Sequence, residues 1–214
     1  MTETDAPRTD DALASLAIEE AQHRSRNLIA LAVALAHQSL IGLRHDPEVV
    51  AFIDRLRSLD AVARIGCEVA GDFCSVERIA EQVTQRLDDP LSPRITRSGP
   101  YVALASRWAH LVAIVLHELT ANALRHGALS NASGRISLRW AIAHTDGGEE
   151  TLHLVWRETD GPVSIAFGRQ GFGSRLLRDL VTSNRRCEAT LRLPANGLVY
   201  TLDLHLPQSE LRHG

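Results

Sequence analysis

Three polar side chains on one apolar stretch are the first candidates for chemistry. Between Ala105 and Gly127 the chain carries no Pro or Gly and is apolar on nearly all sides, the pattern of a helix buried against other structure. Gly127 supplies its stop. Glu118, Asn122 and Arg125 recur at i, i+4 and i+7, one narrow polar stripe along that rod. Burying a carboxylate is costly unless something pairs with it. An ion pair of Glu118 with Arg125 meets that need. So does a metal–nucleotide site, where Asn122 offers Mg²⁺ a hard oxygen and Glu118 is a base beside a transferred phosphate.

A second cluster lies near the start: Glu19, Glu20, His23, Arg24, Arg26 and Asn27. In a helix both carboxylates, at i−4 and i−3, share a face with His23. Either can orient one imidazole nitrogen while the other nitrogen attacks phosphorus. Arg24 and Arg26 would screen the charge of an incoming phosphoryl group. A solvated histidine on a polar helix face is the plain alternative, and His37 and His45 are read that way. Two further segments carry glycines. Trp156-Arg-Glu158-Thr-Asp160-Gly161-Pro162 ends an apolar strand in a turn. Gly168-Arg-Gln-Gly171-Phe-Gly173-Ser174 opens a helix, where backbone amides cradle phosphates.

Together these motifs resemble the HWE family of sensor histidine kinases, on the Bergerat nucleotide fold. His117-Glu118-Leu-Thr-Ala-Asn122-Ala-Leu-Arg125-His126-Gly is similar to its N box, and Glu20 to Asn27 to its H box. Trp156-Arg-Glu158 is similar to its W-x-E, and Gly171-Phe-Gly173-Ser174 to its second glycine box. The resemblance covers roughly residues 14 to 207. It implies that His23 is the phosphoacceptor, with Glu20 and Glu118 as catalytic carboxylates. It further implies that Asn122 holds Mg²⁺, and that Arg125, His126, Gly161, Gly171, Gly173 and Ser174 line the ATP site. Glu158 takes the place of the Asp that reads adenine. Two departures stand out: Arg26 replaces the commoner Lys, and Asp160-Gly161-Pro162 replaces Gly-Gly-Pro. Trp140 and Trp156 are read as packing residues.

These residues need elements to hold them. Residues from about 11 to 44 show apolar side chains at helical spacing. Asp46 then reads as an N-cap and Pro47 as the first position of a second helix, running to about Val69. A two-helix hairpin cannot bury both faces alone, so it is expected to pair with a second copy as a four-helix bundle. Beyond it, Ser75 caps a helix to Leu87, and a short strand covers Arg94 to Arg97. Strands follow at Arg135–His144, Thr151–Glu158, Cys187–Leu193 and Gly197–Leu206, with a helix from Phe172 to about Asn184. The fold class is therefore α+β, a sandwich with helices on one face of a mixed sheet. The domains expected are a dimerisation and phosphotransfer hairpin at 11–71 and an ATP-binding domain at 72–214.

Bulk properties bound the function. The 214 residues carry a net charge of −3, with 44% hydrophobic and 4% aromatic residues. That lacks the basic excess and stacking surface of a nucleic-acid binder. The longest strongly apolar run, Leu28 to Ala36, is too short to span a bilayer. An acidic N-terminus unlike a signal peptide, and three cysteines without zinc spacing, suit a cytoplasmic protein with reduced thiols. The function expected is a cytoplasmic two-component histidine kinase using ATP and Mg²⁺. It would pass phosphate from His23 to a response-regulator receiver domain, and would either take its input from a separate sensor protein or work mainly as a relay. The rival readings are a phosphotransfer or docking protein of the same fold and an anti-sigma-like regulator.

Overall fold

The computed structural model describes residues 27–43, 45–46, 49–50, 52–53, 73–85, 87, 92–144, 149–162 and 185–213. The chain divides into two units, Met1–Arg64 and Ile65–Gly214. In the first, residues 27–39 are helical (α1) and lead into a 3₁₀ turn at Ile41–Leu43. Leu28, Leu31 and Leu35 recur along α1 and remain 52% to 66% exposed. Asp46 behaves as the expected cap: its Oδ1 accepts from the Val49 N–H at 3.4 Å.

In the second unit the elements run β1 (Phe73–Ser75), α2 (Val76–Thr84), β2 (Ile95–Ser98), β3 (Val102–Ala105) and α3 (Ser106–His126). Then come β4 (Arg135–His144), β5 (Glu149–Thr159), β6 (Cys187–Arg192), β7 (Gly197–Pro207) and β8 (Leu211–His213). The expected helix at 172–184 lies outside the described residues. The main sheet has the order β2-β4-β5-β7-β6, with β2 parallel to β4 and the other neighbours antiparallel. This is the mixed sheet of the expected α+β class. Alternation builds it. In β5 and β7 every second residue is buried, so Leu152, Leu154 and Trp156 share one covered face with Leu202 and Leu204.

A second sheet, β1-β3-β8, was not expected from the sequence. Val102, Ala103 and Leu104 are buried in succession, so β3 has no alternation to read, and it runs straight into α3. The cap on α2 is as expected, with Ser75 Oγ accepting from the Arg78 N–H at 3.2 Å. That helix ends at Thr84, short of Leu87. The Thr84 hydroxyl donates to the Ala80 carbonyl at 2.7 Å and accepts from Arg97 Nη1 at 2.7 Å, joining α2 to β2. Cys187 is a buried thiol, and burial pushes its pKa up to about 11, which keeps it protonated and unreactive.

At the other end of α3, Arg107 and the Trp108 indole both donate to the Glu210 carboxylate, just ahead of β8. These bonds hold Glu210 below its ordinary value of 4.5. A depressed carboxylate stabilises the fold above the unfolded pKa and stops doing so as pH falls through the folded one. Glu210→Gln is therefore expected to flatten the acid limb of the stability profile below about pH 4.5 while leaving the neutral plateau within about 1 kcal/mol. Thermal unfolding across pH 3 to 7 checks it.

Candidate functional site

The site begins where α3 ends. The Gly127 N–H donates to the carbonyls of Asn122 and Ala123 at 3.1 Å each, and the turn Ala128–Ser130 follows. Its backbone is extended (φ −110), so conformation does not demand glycine. Space does. A Cβ there would overlap the Glu158 carboxylate and stand 2.9 Å from Ala123 Cα. Gly127→Ala is expected to cost about 1–3 kcal/mol by overpacking and to displace the carboxylate, which thermal unfolding and nucleotide titration would report together.

Glu158 reaches that point from β5. Residues two apart on a strand share a face, so Trp156 and Glu158 both point inward. Trp156 Nε1 donates to Glu158 Oε1 at 3.1 Å, and the Ala128 N–H donates to Oε2 at 2.7 Å. Each oxygen thus accepts from one donor. Glu158 is only 3% exposed, and burial raises its pKa above the ordinary 4.5, with the two hydrogen bonds opposing that rise. Trp156 is fully buried, in keeping with a packing role, but it also orients the carboxylate. That second role was missed, although the i, i+2 spacing of W-x-E carries the signal for it. Trp140 donates to the Pro100 carbonyl at 2.8 Å and stays in the core.

Asp160 adopts the left-handed region (φ 57), making the turn beyond β5. Its carbonyl accepts from Asn131 Nδ2 at 3.0 Å and Ser133 Oγ at 3.2 Å. Gly161 then passes so close to Ala128 that a Cβ would lie 2.7 Å from its Cα. Gly127, Ala128, Glu158, Gly161, Pro162 and Leu198 line a cleft between the end of α3 and the ends of β5 and β7.

The polar stripe on α3 runs toward this cleft. Glu118 is 2% exposed, Asn122 half-buried, and Arg125 and His126 exposed in the last turn. Asn122 Nδ2 is buried with no hydrogen-bond partner among the described residues. The two ends of an amide are told apart only by their hydrogen bonds, so the orphaned end serves equally as an oxygen. An amide oxygen is the type of ligand Mg²⁺ takes, so the residue fits that ion. His23, Glu20, Gly171, Gly173 and Ser174 lie outside the described residues. Among the described residues no helix is long and apolar enough to cross a membrane.

Residues 20–101 match the model of the HWE histidine kinase family. Over 187 residues the chain is 30% identical to a blue-light-activated histidine kinase of Brucella ovis, an alignment covering 86% of this chain and 38% of that protein. The chain therefore spans well under half the length of the curated relatives it matches. Among solved structures, the histidine kinase domain of the Erythrobacter litoralis EL346 blue-light activated histidine kinase superposes with a TM-score of 0.54 at 19% identity, covering 92% of this chain and 94% of that one. A longer form of the same Erythrobacter protein gives 0.56 at 16% identity, covering 87% and 60%. These likenesses establish the fold.

Proposed function

The chain belongs to the HWE histidine kinase family, and on that premise we propose that it is a kinase phosphorylating its own His23 from Mg-ATP. In this reading residues 11–71 form the phosphoacceptor hairpin and residues 72–214 the ATP-binding domain. The hairpin pairs with a second copy, for which the exposed Leu28, Leu31 and Leu35 of α1 provide an apolar face. The phosphoryl group then passes to a receiver-domain aspartate of a response regulator.

One observation carries the proposal: a buried carboxylate, fixed by two N–H donors, lies at a cleft beside the polar end of α3. An ionised carboxylate can only accept hydrogen bonds, and each Glu158 oxygen retains a lone pair for the exocyclic amine of adenine. Asn122 holds the cation from the same helix, one turn after Glu118. Bound Mg²⁺ would supply charge neutralisation on the phosphate oxygens. Glu20 or Glu19 fixes the His23 imidazole so that its free nitrogen forms the N–P bond as the bond to ADP breaks.

Incubation of the whole chain with labelled Mg-ATP tests the reading. The expected label is acid-labile and base-stable, as a phosphoramidate is. Asn122→Ala should cut labelling about 100-fold or more, since a bound metal is worth several kcal/mol in such a transition state, with the fold retained. A label stable to acid, or near-normal labelling by that variant at limiting Mg²⁺, would overturn it.

A further inference from the structure

A second cluster of ligating groups lies at the other end of β5. His144 closes β4, and Glu150, its direct cross-strand partner, lies at the start of β5. His213, in β8, belongs to the other sheet, where it pairs with Val102. His144 Nδ1 stands 3.0 Å and His213 Nε2 2.8 Å from the same Glu150 oxygen. All three ligand atoms lie within 4.8 Å of one another. The Glu150 side chain is 4% exposed, against 66% for His144 and 36% for His213.

We propose that His144, Glu150 and His213 bind a divalent transition-metal cation of the zinc class. Two imidazoles and one carboxylate suit Zn²⁺ and its neighbours, whereas Mg²⁺ and Ca²⁺ prefer oxygen alone. Zinc ligands lie about 2.0–2.2 Å from the ion, so those of a tetrahedral site are about 3.3 Å apart. The two carboxylate–imidazole spacings fall a few tenths of an ångström short of that, within reach of side-chain rotation. The exposed imidazoles leave the outer side open for a water as fourth ligand. Glu150 and Glu158 are eight residues apart on an extended strand, roughly 26 Å, so this site is remote from the cleft and acts separately. Its three ligands come from two sheets, and a bound ion would tie β8 to the β4–β5 pair. The same geometry also suits a plain hydrogen-bonded clamp, His–carboxylate–His, which is the outcome to test against.

The whole chain, stripped with a chelator, is titrated with Zn²⁺ by calorimetry and with Co²⁺ by absorption, and its thermal midpoint is followed. One ion per chain, tetrahedral Co²⁺ bands and a midpoint that rises with Zn²⁺ are expected. Binding only to the folded state raises stability in step with ligand excess over Kd. His144→Asn and His213→Gln should each weaken Zn²⁺ by more than the about 10- to 100-fold that loss of a supporting residue costs, while His153→Asn leaves it unchanged. If His213→Gln disturbs β8, the exposed His144→Asn decides alone. Zn²⁺ affinity unchanged in His144→Asn, or no midpoint rise in the wild-type chain, would leave the cluster as a hydrogen-bonded clamp and overturn the proposal.

Discussion

His23→Ala is expected to abolish autophosphorylation completely while leaving nucleotide affinity unchanged. No other side chain in the segment combines a nucleophilic nitrogen with carboxylates at i−3 and i−4. Imidazole is nucleophilic at neutral pH because one nitrogen is unprotonated, and a carboxylate on the other fixes which one. The product has a P–N bond, which acid cleaves by protonating the leaving nitrogen. An acyl phosphate on Asp or Glu fails in base as well as in acid, and a hydroxyl phosphate survives acid. The stability of the label therefore identifies the acceptor chemistry without a structure. Glu20→Gln separates positioning from nucleophilicity: slower labelling with the same acid lability marks an orienting carboxylate. Persistent labelling of His23→Ala would assign the chemistry to another residue.

The second large effect concerns Glu158. An amide free to turn at this position could donate to guanine, so Glu158→Gln would be expected to gain affinity for GTP. The structure argues against that freedom. Trp156 Nε1 and the Ala128 N–H each need an acceptor, one per oxygen, and an amide offers a single oxygen. Its NH₂ would meet a donor whichever way it turned. Leaving a buried donor unmade costs about 1–3 kcal/mol, so Glu158→Gln is expected to lower stability by that amount. Its ATP affinity should fall roughly tenfold to several hundredfold with no gain for GTP. Burial raises the Glu158 pKa above 4.5. As the ionised form is the one that accepts from adenine, ATP binding should fade with falling pH before the pH reaches 4.5. Competition by ATP and GTP against a fluorescent ATP analogue measures all of this. Tight GTP binding by Glu158→Gln would show that the two donors do not constrain the side chain.

Those two donors mark where sequence reading runs out. The strand Arg135–His144 was readable to the residue, because half-buried strands alternate and nothing interrupts the pattern. Ser106–His126 was readable because it is long, apolar and bounded by Gly127. β1, β3 and β8 are three or four residues each, too short for any period to emerge, and their pairing depends on partners far along the chain. The same holds at the cleft. Glu158 stood out by its motif, but the Ala128 N–H that fixes one oxygen is 30 positions away. A backbone amide has no signature in the sequence. The His144–Glu150–His213 cluster is likewise assembled from three strands and two sheets, and no spacing rule links its members.

Folding order gives β3 a further consequence. Val102 pairs with His213 and Leu104 with Leu211, so roughly half the chain lies between the two edges of that pairing. Contacts so distant in sequence form late, since a large loop must close before they reward it. During synthesis β3 is made long before its partner, and it stays an open, apolar edge until β8 exists. The start of α3 shares that delay, because Arg107 and Trp108 wait for Glu210. The helix that carries Glu118 and Asn122 therefore becomes anchored at its first turn only after the segment through Glu210 has been translated.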